Sequence, residues 1–112
     1  MVKQNIPDRG DIVSLQFKPQ RGREQAGRRP AIVLSPRAYN ERTGLAILCP
    51  VTTQVKGYPF EVALPNTLKT KGVILVDHIK SLDFNARGAR ILERVPPPVL
   101  QAVVSKLLVL FT

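Results

Sequence analysis

The chain has 112 residues, of which 44% are hydrophobic, so its composition is that of a folded domain rather than a disordered basic tail. Seventeen Lys and Arg against eight Asp and Glu give a formal net charge of +9, which favours a polyanionic partner such as nucleic acid, an acidic membrane face or an acidic protein. No apolar run approaches the roughly 20 residues of a membrane span. No secretory signal is visible, and the single cysteine, Cys49, indicates a reduced, cytoplasmic setting. We expect one domain, residues 1–112.

Most of the chain is predicted to form short strands. The first and fourth alternate apolar and polar residues, as half-buried strands do, whereas the second and third are more continuously apolar. The segment 36–44, PRAYNERTG, is predicted as a turn-rich connection, and ARGAR as a turn after the last strand. In chain order the predicted strands are DIVSLQF (11–17), RPAIVLS (29–35), LAILCPV (45–51), PFEVAL (59–64), GVILVDHI (72–79) and KSLDF (80–84).

The C-terminal segment from Pro98 has a different pattern, with apolar residues at three- and four-residue intervals from Leu100 to Phe111. This spacing predicts a helix of about three to four turns, with prolines in its first turn. The helix is unusually apolar. Either it is buried within its own domain, or part of its surface pairs with a second copy of the chain. The predicted fold class is therefore mainly β with a small α part: an antiparallel barrel or strongly curled sheet capped by a C-terminal helix.

Several kinds of catalytic site are absent from the sequence. No Cys/His cluster, phosphate-binding Gly-rich loop or paired acidic metal motif occurs. The one histidine, His78, lies in a predicted strand beside Asp77, where a structural or surface role is more common than catalysis. A single histidine also cannot perform a two-histidine acid–base reaction.

Arginines and hydroxyl groups remain as candidate functional groups. Arg28 and Arg29 lie where a cationic loop enters a predicted strand, and Thr52 and Thr53 follow another. If these strands are neighbours, guanidinium and hydroxyl groups converge on one phosphate, where an arginine fork stabilises added negative charge. Glu24, among the arginines, is a candidate proton acceptor or ion-pair partner. The alternative is a solvated basic loop beside ordinary β-branched strand ends.

Several blocks in this order resemble the MazF/PemK family of toxin endoribonucleases from type II toxin–antitoxin systems, and the MazF branch most of all. The similarity extends from about Pro7 to about Ala89, leaving only the last helix generic. The blocks are PDRGDIV, REQAGRRPAIVLSP, YNERTG, CPVTTQVKGYPFEV and GVILVDHIKSLDFNARGA.

This resemblance implies an SH3-like barrel, a homodimer and sequence-specific cleavage of single-stranded RNA (mRNA) that inhibits translation and growth. The RNA 2′-hydroxyl attacks the adjacent phosphate, without metal or other cofactor, to give 2′,3′-cyclic phosphate and 5′-hydroxyl ends. By position in the family motifs, Arg29, Thr52 and Glu24 are implied as catalytic residues. A cognate acidic, MazE-like antitoxin is implied as a partner that blocks the RNA groove, with operator DNA contacted only through that antitoxin and no membrane involved.

Nine further residues are expected to contact RNA, because they are cationic or polar and lie in or near the motif blocks. The cleavage sequence cannot be derived from them, since no code links loop residues to RNA bases. For Arg29, we expect clamping of the phosphate before proton transfer, because a guanidinium is a poor base near neutral pH. The nine residues are Lys18, Arg21, Gln25, Arg28, Thr53, Gln54, Lys56, Lys80 and Arg87.

Two departures from the family pattern affect the expected mechanism. Arg28 stands where related chains have histidine. The plasmid-borne branch uses an Arg-x-Asp pair, but here Leu75 occupies the arginine position before Asp77, so that mechanism does not transfer. Two functions from other classes remain as alternatives: a non-catalytic nucleic-acid-binding module, and a gyrase-poisoning toxin on a related barrel.

Overall fold

The computed structural model describes residues 5–17 and 27–112 and confirms the mainly β fold class. Apolar alternation and buried apolar runs form strands, whereas the C-terminal segment with helical spacing forms a long helix. The elements are β1 (Asp11–Gln16), β2 (Arg28–Val33), α1 (Arg37–Thr43), β3 (Leu45–Thr52), β4 (Glu61–Ala63), β5 (Val73–Leu75), the 3-10 helix Val76–His78, β6 (Lys80–Asp83), β7 (Arg90–Arg94) and α2 (Pro97–Phe111).

The seven strands form one antiparallel sheet in the order β4-β5-β3-β2-β1-β7, with β6 also paired to β3. The centre of the sheet is β2, which pairs with β1 through Val13 opposite Ala31 and with β3 through Ala31 opposite Pro50. The long strand β3 pairs with β2 along one edge and with both β5 and β6 along the other.

The partner of β3 along that second edge is interrupted by the 3-10 helix. Val51 pairs with Ile74 and Leu48 pairs with Lys80, so three steps along β3 correspond to six along the other chain segment. The 3-10 helix Val76–His78 contains the extra residues between these two pairings. Such insertions redirect side chains and are common beside functional sites.

The core consists of two clusters on opposite faces of the sheet. Successive residues of a strand point to opposite faces, so β1, β2 and β3 contribute to both. The larger cluster lies on the α2 side and contains Ile12, Ile32, Leu34, Cys49, Val51, Val62, Leu64, Ile74, Val76, Val95, Val99 and Val103. The smaller cluster contains Val13, Leu15, Ala31, Val33, Ala46, Leu48 and Phe84.

The segment predicted as a turn-rich connection contains a helix, so that prediction was wrong. Helix α1 is short and polar, and its stability comes from tertiary contacts. The buried Asn40 amide donates to the carbonyl oxygens of Pro7 (2.8 Å) and Ser35 (3.1 Å). Gly44 then ends the helix in a left-handed conformation, φ 76°. Helix α1 has no apolar face and is held by the Asn40 side chain, so a search for apolar periodicity does not detect it.

Three strand predictions also differ from the structure. The predicted strand 59–64 is shorter, Glu61–Ala63, and residues 72–79 divide into β5 and the 3-10 helix, so His78 is not on a strand. The strand β7 (Arg90–Arg94) was not predicted. Its side chains are largely exposed, because it is stabilised by backbone pairing with β1 rather than by an apolar face.

Helix α2 is buried on one face only. Val99 and Val103 are buried against the sheet, whereas Val104, Leu108 and Phe111 are exposed, the last at 73%. Burial of the helix within its own domain therefore accounts for only part of its apolar surface. Within residues 5–17 and 27–112, no helix is long and apolar enough to cross a membrane.

Candidate RNA-cleavage site

Arg29 and Thr52 lie at neighbouring strand ends. In the β2–β3 pairing Ala31 is opposite Pro50, and continuing this register by two residues brings Arg29 opposite Thr52. Residues opposite one another in antiparallel strands direct their side chains to the same face. Arg29 is exposed, and within residues 5–17 and 27–112 its guanidinium has no hydrogen-bond partner. A guanidinium with free donors therefore stands beside a hydroxyl group.

The Thr52 hydroxyl is held by a local turn. The Gln54 backbone N–H donates to Thr52 Oγ1 at 3.1 Å, which leaves the hydroxyl hydrogen able to donate to another group. The backbone of Thr52 is also closely packed. Gly72 has φ +117°, and a Cβ atom there would lie 2.2 Å from the Thr52 carbonyl oxygen. Only glycine permits this approach, so Gly72 fixes the position of the strand end that carries Thr52.

Three adjoining pockets all include Arg29 in their walls, and together they are called the groove here. The central pocket has a volume of about 280 Å³, as has the pocket on the Lys71 side, and the pocket on the Phe17 side measures about 490 Å³. The central pocket is lined by Arg29, Thr52, Gln54, Lys56, Tyr58, Glu61, Leu75 and His78. The Lys71 side adds Pro30, Val51 and Thr53, and the Phe17 side adds Gly27, Pro50 and Lys80.

The groove combines positive charge with aromatic surface. Four cationic side chains, Arg29, Lys56, Lys71 and Lys80, are distributed along its length. Lys80 Nζ lies 5.5 Å from the centre of the Phe17 ring, a cation–π arrangement. Cations that follow a polyanion and aromatic faces on which bases stack are the two elements of single-strand binding.

The loop between β3 and β4 is held in place by one carboxylate. The backbone N–H groups of Lys56 and Gly57 donate to the two oxygens of Glu61, both at 3.0 Å. Both carboxylate oxygens are therefore engaged in shaping the loop. The result is that the Lys56 side chain is presented to the central pocket from a fixed backbone.

The 3-10 helix forms the opposite wall of the central pocket. The Tyr58 hydroxyl donates to Asp77 Oδ2 at 2.5 Å, and this hydrogen bond is the main cause that raises the pKa of Tyr58. Asp77 Oδ1 is buried and has no hydrogen-bond partner among the described residues, and it lies 4.0 Å from His78 Nε2. Tyr58 thereby connects the loop after β3 to the 3-10 helix, and Tyr58 and His78 line the same pocket.

The described residues contain one buried thiol and no candidate metal-binding group. Burial, and then the charge of Asp77, raise the pKa of Cys49 to about 12, so its thiol is neutral. Cys49 lies in β3, and its side chain is fully buried in the larger core cluster. No group of three or more His, Cys, Asp or Glu side chains within residues 5–17 and 27–112 is arranged to hold a metal ion.

The sequence matches the family model of PemK-like, MazF-like toxins of type II toxin–antitoxin systems over residues 8–111. It is 48% identical over 110 residues to the endoribonuclease toxin MazF of Escherichia coli strain K12, with 98% of each chain covered. The chain belongs to this toxin family. It is also 34% identical over 109 residues to the endoribonuclease PemK of Escherichia coli, covering 94% of this chain and 82% of that one.

Solved structures agree with this family assignment. The chain superposes on the crystal structure of MazF (Form-I) from Deinococcus radiodurans with a TM-score of 0.88 at 54% identity, covering 96% of this chain and 98% of that one. The MazE–MazF structure (Form-III) from the same organism gives a TM-score of 0.88 at 52% identity, covering 96% and 97% of the two chains. The predicted family and fold are therefore confirmed.

The groove of this toxin-family chain brings together six of the residues expected from the sequence. Arg29, Thr52, Gln54 and Lys56 share the central pocket, Thr53 lines the Lys71 side, and Lys80 lines the Phe17 side. Their roles in RNA binding and cleavage stay predictions.

Arg28 and Arg87 are placed elsewhere, in what is called the clamp here. The Arg28 guanidinium donates to the carbonyl oxygens of Ser14 (3.1 Å) and Gly88 (2.6 Å). Arg87 donates to the carbonyl oxygen of Gln16 at 3.3 Å and to that of Phe17. Both guanidinium groups satisfy backbone oxygens near the end of β1, and neither lines the three pockets.

Glu24, Lys18, Arg21 and Gln25 lie outside the described residues, so their expected roles stay predictions. Conversely, Tyr58, Lys71 and Phe17 were not predicted from the sequence to belong to the site, and His78 was expected to be a structural or surface residue. An alternating strand pattern places neighbours on opposite faces, and no feature of GVILVDHI indicates a 3-10 helix within it. The interruption of a predicted strand by Asp77 and His78 was the one available sign.

Proposed function

We propose that this chain cleaves single-stranded RNA at specific sequences, without a metal ion, and thereby inhibits translation and growth. The 2′-hydroxyl attacks the adjacent phosphate, and the products carry 2′,3′-cyclic phosphate and 5′-hydroxyl ends. Membership of a family whose relatives are endoribonucleases, at 48% identity over nearly the whole chain, makes the protein an endoribonuclease toxin. The proposal adds the route of cleavage and the residues that perform it.

One observation carries the assignment of the site: the unpaired Arg29 guanidinium adjoins all three pockets of the groove and stands opposite Thr52. Attack by the 2′-oxygen adds negative charge to the phosphate oxygens in the transition state. A planar guanidinium matches two such oxygens and remains charged throughout. Arg29 is therefore proposed first to bind the phosphate and stabilise its added charge, because donors aimed at developing charge lower the barrier.

Thr52 and Glu24 are proposed to complete the reaction. The Thr52 hydroxyl retains its hydrogen for donation to a phosphate oxygen, since its oxygen already accepts from Gln54. Glu24 is the proposed base that takes the 2′-hydroxyl proton, an assignment that rests on its place in the EQAG block of the family motif. Its carboxylate accepts protons and hydrogen bonds, whereas the guanidinium of Arg29 has donors only.

A cognate acidic antitoxin and a second copy of the chain are the proposed protein partners. MazF of Deinococcus radiodurans has been solved with MazE. In the present chain the net charge of +9 and the cationic groove suit an acidic segment that competes with RNA, and the complex is proposed to act in the cytoplasm. For the homodimer, support comes from the exposed apolar residues Val104, Leu108 and Phe111 of α2.

The experiment that tests this function incubates the purified chain with single-stranded RNA, with single-stranded DNA, and with supercoiled DNA plus gyrase, and repeats the RNA incubation in EDTA. Cleavage of RNA alone, undiminished by the chelator, is expected. Binding of nucleic acid without cleavage would indicate a binding module, and trapped gyrase complexes would indicate a gyrase poison. Sequencing the 5′ ends of the RNA fragments then gives the cleavage motif.

A further inference from the structure

His78 lies beside the proposed reaction centre, although the sequence placed it on a strand. It lines both the central pocket and the pocket on the Phe17 side, and Arg29 lines the same two. Its side chain is 54% exposed, so the imidazole is accessible from the groove. The 3-10 helix produces this placement, because it inserts residues into the partner of β3 and turns His78 out of the sheet.

The proposed cleavage needs a proton donor that the groove must supply. When the 2′-oxygen forms a bond to phosphorus, the bond between phosphorus and the 5′-oxygen breaks, and its electron pair remains on the 5′-oxygen. An alkoxide is a poor leaving group near neutral pH, so a positioned acid accelerates this step by about a hundredfold or more. The base assigned above removes the 2′-hydroxyl proton and does not serve the departing oxygen.

The other ionisable groups lining the groove are poorly suited to that task. Arginine does not give up its proton near neutral pH. The hydrogen bond to Asp77 raises the pKa of Tyr58 and makes it a weaker acid. Both Glu61 oxygens accept backbone hydrogen bonds, and Lys71 Nζ donates to the carbonyl oxygens of Asn66 (2.9 Å) and Leu68 (2.7 Å).

Lys56 and Lys80 are the remaining ionisable groups in the described lining. A lysine ammonium group suits binding of a phosphate as a point charge, whereas imidazole is the side chain used most often for general acid–base catalysis. We propose that His78 is a further catalytic residue, which donates a proton from its imidazolium to the departing 5′-oxygen. This inference rests on the proposed function and deepens it.

The surroundings of His78 fit a positioned acid. On its own element, Asp77 places a carboxylate oxygen 4.0 Å from Nε2, and Tyr58 holds that carboxylate through its other oxygen. The charged groups facing His78 across its two pockets are Arg29 from β2, Lys56 and Glu61 around the β3–β4 loop, and Lys80 from β6. At this distance the Asp77 carboxylate attracts a protonated imidazole without a hydrogen bond to it, so Asp77, held by Tyr58, is a positioning residue.

The test compares wild type with His78→Gln on two RNA oligonucleotides of a sequence that the wild type cuts. One is ordinary RNA, and the other carries sulfur in place of the 5′-oxygen at the scissile phosphate. A thiolate leaves without protonation, so an acid is needed only for the oxygen substrate. His78→Gln is expected to lower kcat on ordinary RNA by about a hundredfold or more. On the sulfur substrate the two proteins are expected to cut at nearly equal rates.

Each other outcome overturns the proposal. Wild-type rates of His78→Gln on ordinary RNA would show that His78 is not the acid, and an equal loss on both substrates would show a structural or binding role. Thermal unfolding of both proteins checks that the exposed substitution leaves the fold intact. These failures differ from failure of the proposed function, which would appear as a wild type that leaves RNA intact or cuts where the 2′-hydroxyl is absent.

Discussion

The clamp and the groove use the same residue type in opposite ways. Arg28 and Arg29 are adjacent on β2, yet the Arg28 guanidinium is occupied by the carbonyl oxygens of Ser14 and Gly88, whereas Arg29 is unpaired among the described residues. Their side chains leave the strand on opposite faces, as neighbours on a strand do. One arginine closes the end of β1, and its neighbour faces the groove.

This difference shows that positive charge alone does not identify a phosphate-binding residue. The formal net charge of +9 favours RNA as a partner, but part of that charge satisfies backbone oxygens. A guanidinium with its donors already used has fewer to offer a phosphate, and withdrawing it would leave carbonyl groups unpaired. The clamp arginines should therefore contribute to stability and the groove side chains to activity. Of the four substitution experiments below, three test that division, and the Gly72 experiment tests the backbone packing that positions Thr52.

The largest effect is expected from Arg29. Arg29→Ala should lower kcat by about a hundred- to a thousandfold, because it removes the group that stabilises charge in the transition state. Arg29→Lys keeps the charge but loses the planar fork, so it should bind RNA nearly normally and cut poorly. Single-turnover cleavage and RNA-binding titrations measure the two quantities. Rapid cleavage by Arg29→Lys would show that charge suffices.

A steric change against the backbone of Thr52 should have the next largest effect. In Gly72→Ala the new Cβ would meet the Thr52 carbonyl oxygen at 2.2 Å. Gly44 is also at positive φ, but a Cβ added there would meet no neighbouring atom within 4 Å. Both substitutions impose backbone strain, but only the first adds a clash, which should cost about 1 to 3 kcal/mol more in the free energy of unfolding. Denaturant unfolding of the two variants measures this difference. Equal losses would contradict the close packing at Thr52.

Arg28 tests the clamp. Arg28→Ala should lower the free energy of unfolding by about 1 to 2 kcal/mol, because it loses a partly buried hydrogen bond to the Ser14 carbonyl oxygen and an exposed one to that of Gly88. Cleavage per folded molecule should change little. Arg42→Ala, in the last turn of α1, is the control. The Arg42 side chain has no hydrogen bond to a described residue, so its removal should lower the free energy of unfolding by less than about 0.5 kcal/mol. If Arg28→Ala is as stable as the wild type but fails to bind RNA, Arg28 contacts RNA and does not belong to the clamp.

The smallest effect separates Lys56 from Arg87 by the salt dependence of RNA binding. Lys56→Gln should reduce the log–log slope by about 0.7, the value for one lost phosphate contact on a single strand. Arg87→Gln should instead lower stability and leave the slope unchanged, because its guanidinium is bonded to the carbonyl oxygens of Gln16 and Phe17. Binding titrations over a range of salt concentrations decide between the two. Equal salt-dependence slopes for both variants would show that Lys56 and Arg87 do not differ in their contact with RNA, which contradicts the distinction between clamp and groove.

The sequence could predict the sheet and the meeting of Arg29 with Thr52, because apolar runs mark buried strands and the family motifs carry both residues. It could not predict α1, whose position depends on the distant contacts of Asn40, or β7, which has no buried face. The same limit applies to the site. Whether an arginine is free or paired depends on carbonyl oxygens far away in the chain, as Arg28 and Gly88 show.

The most direct test of the central claim is cleavage of a pair of RNA oligonucleotides that differ by one oxygen. One is ordinary RNA, and the other has a single 2′-deoxy nucleotide on the 5′ side of the scissile phosphate, and both are incubated in EDTA with products identified by mass spectrometry. The account predicts that the ordinary RNA is cut to 2′,3′-cyclic phosphate and 5′-hydroxyl ends, while the deoxy position stays intact. Cleavage at the deoxy position, or loss of all cleavage in the chelator, would contradict it.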